Sequence, residues 1–447
     1  MSAADFAAEV VRKALAVGAQ DAECTIAEGE EFTAAVRMRE LETLKEAGSR
    51  RVGLRIVIGR RTGSSYTSDF SDDGIARLVR SAIELAEVTT EDPAAGLPGP
   101  DELGSLEGDL QLYCEDLERL PAQEKIALAR RAEEASLACD PRIANSEGGS
   151  FDSHLARHAF ANSRGFAGEY RGSYCSLSAV PVARDGETME RDYWFSIARG
   201  ASGLEPADEI GRTAALRALR RLGARKVETR KAPVVFEPRA ARSLLENIFE
   251  AVHGGAVYRH ESFLAGRLGE KVASEKLTVV DDGTIPGLFG TTPFDDEGVP
   301  SRRTVVIERG VLASYLLNTY TARKLGLKTT GNAARGVAGN AGVGHGNFFI
   351  EPGGASPAAI IAKVADGFYV TDLFGFGVNI VTGDYSRGAA GMWIRNGELA
   401  FPVSEVAIAG NLKEMLMGLE TIGSDLEFRG STAAPTLLIP EMTVGGR

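Results

Sequence analysis

The chain has 447 residues and a formal net charge of −12, so a nucleic-acid backbone meets a repulsive field that no long Lys/Arg run offsets. With 44% apolar and 25% charged residues, no apolar run long enough to span a bilayer and no apolar segment near its start, it reads as a soluble, cytoplasmic protein without nucleic-acid or membrane partners. The four cysteines, Cys24, Cys114, Cys139 and Cys175, form no C-x-x-C pair and are expected to be reduced thiols.

This length exceeds what one core organises and predicts two or three domains. Ser2 is placed to cap a first helix, with Asp5 completing a capping box and Phe6, Val10 and Val17 near one face before Gly18. Strand-like runs at 24–27, 33–38, 52–58 and 62–67 follow, and Ile75, Leu78, Val79 and Ile83 mark a second helix begun near Ser71 and Asp72. That order predicts an N-terminal α+β domain over 1–90, an antiparallel sheet with helices on one face. The acidic, Pro/Gly-rich stretch 91–108 reads as a linker or long surface loop.

A helix over 121–139, a strand-rich stretch over 143–199 and a mixed-charge helix over 207–222 predict a middle α/β segment, 109–225, packed with the first domain. His154 and His158 lie four apart in a segment that alternates as a strand does, which favours strand histidines over a metal pair. The polar stretch 226–231 reads as a hinge into a third, β-rich domain over 232–447. There a strand at 234–236 and a helix over 239–254 precede short strands at 277–280, 304–307, 312–316, 348–350, 369–371, 378–381, 392–394, 406–409 and 436–439. Asn396-Gly397 and Arg309-Gly310 sit between apolar runs as hairpin turns. Only short helices, 357–364 and 412–417, interrupt these strands. The expectation is a barrel-like, mainly antiparallel sheet rather than a doubly wound one.

The densest polar chemistry lies over 249–300. Phe249 to Gly254 has the outline of a helical His-Glu-x-x-x-His zinc signature, in which two imidazoles hold the ion and the Glu polarises its water. Phe249 and Gly254 stand at the histidine positions, and neither offers a lone pair. Glu250, His253 and His260 remain as weak catalytic candidates, with Gly254-Gly255 interrupting the helix between the two histidines. The acidic groups at 281–282 and 295–297 end in glycine and read as turn formers more than as Ca²⁺ or Mg²⁺ ligands. The glycine-rich 331–346 has no phosphate-loop spacing and is expected to be a mobile loop. Asp384, Tyr385, Ser386 and Arg387 could bind a peptide carboxylate or form a polar bend.

Several long stretches resemble the TldD/PmbA family, and within it the PmbA (TldE) branch: GGAVYRHESFLAGRLGEKVAS, TPFDDEG, LLNTYTARKLGLKTTGN, GDYSRGAAGMWIRNGE, PVSEVAIAGNLKEM and LLIPEM. The N-terminal half agrees more loosely. The resemblance implies a two-chain peptidase in which a TldD-like partner holds zinc through His-Glu-x-x-x-His and a late cysteine. This chain, with Phe249 and Gly254 at the histidine positions and no cysteine after residue 175, then binds no cofactor of its own. It completes a cleft for unfolded peptide, with Arg259 and Asp384 to Arg387 as candidate cleft residues. The resemblance also implies a possible homodimer in isolation and associations with small peptide toxins and antitoxins and with modulation of DNA gyrase. The alternatives are a self-sufficient homodimeric metallopeptidase with a divergent site at Glu250, His253 and His260, and a peptide-binding scaffold without protease activity.

Overall fold

The computed structural model describes residues 1–446. Helix α1 (Ala3–Ala16) begins where Ser2 Oγ accepts the Asp5 amide at 3.0 Å, and Asp5 accepts the Ser2 amide in return at 3.1 Å. Strands β1 (Asp21–Arg37), β2 (Glu40–Ile58) and β3 (Arg61–Thr67) precede α2 (Asp72–Val88), which Ser71 caps through Gly74. The expected runs 24–27 and 33–38 are one strand. The charged residues between them, Glu28, Glu30 and Glu31, pair with β2 on one side and with the strand around His154 on the other, so ladder hydrogen bonds override the break in apolar pattern.

The middle segment contributes α3 (Glu115–Arg119), α4 (Ala122–Leu137), β4 (Ile143–Asn162), β5 (Ala167–Asp185), β6 (Thr188–Arg191), β7 (Trp194–Ala198) and α5 (Ala207–Leu219). Because β4 lies antiparallel to β1 from Asn162 opposite Glu23 to Gly149 opposite Val36, the first two segments share one seven-stranded sheet in the order β3-β2-β1-β4-β5-β6, with β7 on β5. Val10, Leu54, Ile75 and Ala161 form the core under α1 and α2, whereas Phe151, Leu177, Ala132 and Ile210 form another under α4 and α5. The loop 91–108 is fastened to the third domain: Tyr320 donates to Asp92 at 2.7 Å and Lys324 at 2.9 Å.

After β8 (Arg230–Phe236) come α6 (Pro238–Val252), α7 (Gly254–Tyr258), β9 (Val279–Asp282), β10 (Arg303–Glu308), β11 (Val311–Leu312) and α8 (Thr319–Leu325). The chain continues through β12 (Ala333–Ala334), β13 (Gly342–Val343), β14 (Phe348–Ile350), α9 (Pro357–Ala362), β15 (Asp366–Phe374), β16 (Asp384–Arg395) and β17 (Glu398–Asn411). It ends with α10 (Leu412–Met417), β18 (Thr421–Ile422), β19 (Thr432–Ala433) and β20 (Leu437–Gly445). The pairings run β17-β16-β15-β8-β20, and β20 pairs back to β17, which closes a five-stranded barrel. Its contacts are antiparallel except between β8 and β15. Val234, Phe236, Phe368, Val370 and Trp393 join α6 in the largest core, while the alternate residues Val235, Tyr369, Ile394 and Leu438 pack with Ile360 of α9. The fold class is therefore α+β with a barrel, as the strand pattern implied.

Some local expectations need correction. Residues 378–381 form no strand, and Val378 makes only an isolated bridge to Tyr385. The expected strand 312–316 is confined to Val311–Leu312. Helix α6 stops at Val252 because His253 takes an extended backbone (φ −62°, ψ 120°) and its Nδ1 caps α7 by accepting the Gly255 amide at 3.0 Å. Asn396 and Gly397 both have positive φ, 52° and 79°, as a tight hairpin between twisted strands requires. The four thiols are unbridged. Among the described residues, no helix is long and apolar enough to cross a membrane.

Candidate functional site

Helix α6 is amphipathic. Leu244, Leu245, Ile248 and Val252 enter the core, and Arg239, Arg242, Ser243, Glu246, Asn247 and Glu250 fall three or four apart on the opposite face. That face floors an open cleft of about 730 Å³ whose other walls include Trp194 and Phe195 of β7, Arg387 of β16, the fully exposed Phe376, and Thr432 and Ala433 of β19. The cleft lies where the N-terminal sheet meets the barrel. β19 is the last strand of its own sheet, β11-β10-β9-β14-β19, and so presents an edge to the cleft.

A buried ion network holds the two walls. Arg217 donates to Glu237 at 2.9 Å and 3.2 Å and stands 3.3 Å from Asp192, which Arg239 approaches at 3.4 Å. Burial alone would raise the Asp192 carboxyl, but Arg217, the Tyr193 amide, Arg239 and Arg221 outweigh it and hold it below the usual range. Arg221 extends the network to Asp372 of β15 at 3.1 Å, so the cleft rests on charges from both domains.

The signature positions straddle the end of α6 and the start of α7. The Phe249 ring packs edge-on against His345 (centroids 4.8 Å apart), His253 (5.7 Å) and Phe348 (5.9 Å). Burial lowers the affinity of His253 and His345 for a proton. The His345 Nδ1 faces the Gly346 carbonyl at 2.9 Å, so that nitrogen carries the hydrogen. A Cβ at Gly254 would lie 2.7 Å from both Leu317 Cδ2 and Thr321 Oγ1, and the break in the helix at His253 separates this position from Phe249. The signature geometry needs two imidazoles on one continuous helical face. Here the residues at those positions do not fit a zinc ion, and among the described residues no three His, Cys, Asp or Glu side chains converge as a metal cluster.

Of the candidates named from sequence, Glu250 and Arg387 share the cleft, and Arg387 donates to Ser243 of α6 at 3.0 Å. His253 sits behind α6 as the α7 cap. Arg259 is exposed and paired to Glu261 at 2.6 Å, and His260 is exposed with φ 57°. Asp384 accepts Thr382 and Asn411 hydrogen bonds that hold its carboxyl low, forming the polar bend. Tyr385 is in the core with its hydroxyl unpartnered, and Ser386 is exposed. His154 and His158 are strand residues whose rings lie at a tilt against Tyr174 and Tyr170.

A smaller cavity of about 260 Å³ lies beyond β19, lined by Asp281, Asp295, Asp296, Thr292, Ser301, Asn332, His345 and Ser431. Asp282 does form the expected turn, accepting both Thr284 groups, and Asp295 accepts the amides of Glu297, Val299 and Ala333. Asp281 does not. It is 3% exposed on β9 and burial pushes it up to about 7. The turn reading missed it, although Leu277, Val279 and Asp281 are every second residue, the spacing of one strand face.

The loop 331–346 is not free, as expected, but strapped to the N-terminal sheet. Arg335 pairs with Glu23, which also accepts Arg55 at 2.8 Å, and Arg55 donates to Asn340 at 2.9 Å. Gly53 is required under it, since a Cβ there would lie 1.8 Å from the Val337 carbonyl oxygen.

Family models for the PmbA/TldA metallopeptidase match the chain as domain 1 over 22–86, the central domain over 115–222 and the C-terminal domain over 229–446. A relative from Escherichia coli, called metalloprotease PmbA, is 39% identical over 97% of this chain and 94% of its own. One from Haemophilus influenzae, called a metalloprotease PmbA homolog, is 34% identical over 99% and 95%. A solved structure from Bacteroides thetaiotaomicron, described as a modulator of DNA gyrase, superposes with a TM-score of 0.92 at 29% identity over 99% of this chain and 98% of that one. TldE from Thermococcus kodakarensis shares the fold, with a TM-score of 0.85 at 22% identity over 99% and 100%. The chain belongs to the PmbA/TldD family.

Proposed function

We propose that this chain is the metal-free, TldE-like subunit of a cytoplasmic two-chain metalloprotease that acts on small unfolded peptides. Its TldD-like partner supplies the zinc, and this chain completes the substrate cleft. The observation that carries the reading is the filling of the signature: Phe249 is packed among His253, His345 and Phe348, and Gly254 has no room for a Cβ. The cleft itself persists without the ligands, floored by α6 and bordered by the edge of β19. An extended peptide hydrogen-bonds to such an edge through its main chain, which accepts varied sequences. Arg387 and Glu250 stand ready for its polar groups.

The test is reconstitution. The purified chain is assayed alone and mixed with a TldD-like chain, reading zinc per complex and cleavage of an unstructured peptide. The expectation is no cleavage alone, and cleavage with zinc in the mixture. Near-stoichiometric zinc and cleavage by the isolated chain, lost on His253→Ala, would instead establish the self-sufficient peptidase. Absence of cleavage in the mixture would leave a scaffold.

A further inference from the structure

The smaller cavity beyond β19 contains a buried acceptor without a donor. Asp281 Oδ2 accepts Asn332 at 2.6 Å, but Oδ1 has no aligned partner, and the side chain is 97% removed from solvent. An unmet carboxylate oxygen at that depth costs free energy, which the nearby Gly346 amide offsets only in part. Two hydroxyls share the same cavity: Thr292 and Ser301 lie 3.0 Å apart, bonded to each other.

The other acids do not convert the space into a cation site. Both Asp295 oxygens accept backbone amides, Asp296 Oδ2 accepts the Arg335 amide at 2.7 Å while its Oδ1 stands 3.6 Å from His158 Nε2, and Asp282 Oδ1 accepts Thr284. One buried carboxylate oxygen without a partner, with two hydroxyls lining the same cavity, suits a compact, multi-donor cation that brings its own N–H groups, and not a metal ion that needs several oxygens at once. Arg302 lies at the exposed rim, where solvent screens it.

Position identifies the ligand class. Ser431 lines this cavity, and its neighbours Thr432 and Ala433 line the large cleft, so three consecutive residues join the two spaces. We propose that the cavity is a subsite for the primary ammonium group of a peptide, accepted by Asp281 Oδ1 with the Thr292 and Ser301 hydroxyls. The assignment rests on the peptide-cleft reading above and adds that the cleft distinguishes a charged amine from a blocked one. A charge-assisted ammonium–carboxylate hydrogen bond is among the stronger kinds, so its loss is readable as affinity.

The test is calorimetric titration of the purified full chain with trialanine, N-acetyl-trialanine and an N-acetylated tripeptide containing lysine. Trialanine is expected to bind at least tenfold tighter than its acetylated form, and Asp281→Asn is expected to abolish that difference. Recovery of affinity by the lysine peptide also supports the site and assigns the amine to a side chain. Equal binding of free and acetylated trialanine, no binding of either, or a preference that survives Asp281→Asn overturns the proposal. The acetylation comparison needs no variant to fold. Because binding is read on the isolated chain, failure of reconstituted cleavage and loss of amine preference are separate results.

Discussion

Restoring histidines at both signature positions, Phe249→His with Gly254→His, is expected to yield an unstable chain without stoichiometric zinc. Phe249 makes three edge-on aromatic contacts, and exchanging its ring for a smaller polar one costs about 1–3 kcal/mol in packing and unmet hydrogen bonds. At Gly254 the first added atom already meets Leu317 and Thr321 at 2.7 Å, and overpacking of this kind costs about 1–3 kcal/mol. Thr321 cannot yield freely. Its amide donates to Asn318 at 2.8 Å and its hydroxyl accepts the Asn318 amide at 3.1 Å, so displacing it opens the capping box of α8 for about 1 kcal/mol more. The sites are close enough to couple, so the whole is about 3–6 kcal/mol rather than a strict sum. Urea unfolding gives the stability, and elemental analysis after dialysis against micromolar zinc gives the metal. A double variant of unchanged midpoint carrying about one zinc per chain would refute the packing argument and the metal-free role together.

Arg335→Met should cost about 1–3 kcal/mol at neutral pH, because it leaves Glu23, itself 1% exposed, with Arg55 alone of its two guanidinium partners. Although burial acts to raise Glu23, Arg335 and Arg55 outweigh it and hold its folded value below the unfolded one. Its stabilisation is therefore present at neutral pH and fades as pH falls below the unfolded carboxylate range, so urea midpoints of wild type and variant should converge on acidification. Asp281 has the opposite sign. Burial raises it from 3.8 to about 7, so the folded chain holds more protons and loses stability as pH rises between those values, by about 4 kcal/mol. Asp281→Asn should accordingly be more stable than wild type at pH near 8 and nearly equal near pH 4 by thermal unfolding, and equal curves at both would remove the buried-acid argument. Gly53→Ala should lift the 331–346 strap, destabilise by about 1–3 kcal/mol, and speed protease cleavage within the strap.

What the sequence determined alone is local. Ser2 and Ser71 cap their helices because the acceptor and the amides it satisfies lie within three residues. Asn396-Gly397 turns because both need positive φ, and the short helix 412–417 forms where expected. The alternation of short β-rich runs was enough for a barrel-like sheet, since period two records one buried face. Tertiary structure decided what joins residues far apart in the chain. Glu28 to Glu31 look like a turn until strands from both sides pair with them. The parallel contact of β8 with β15 and the return of β20 to β17 close the barrel through partners that no local pattern names. Glu250 could be singled out from its motif, but the aromatic wall of Trp194 and Phe195 opposite it could not. Asp281 and Asp282 are neighbours of like chemistry, yet Asp282 caps a turn and Asp281 is left with one oxygen unpartnered. Both are buried on β9, and the difference is that Asp282 finds its donor two residues on at Thr284, whereas Asp281 depends on Asn332, which only the tertiary fold brings near.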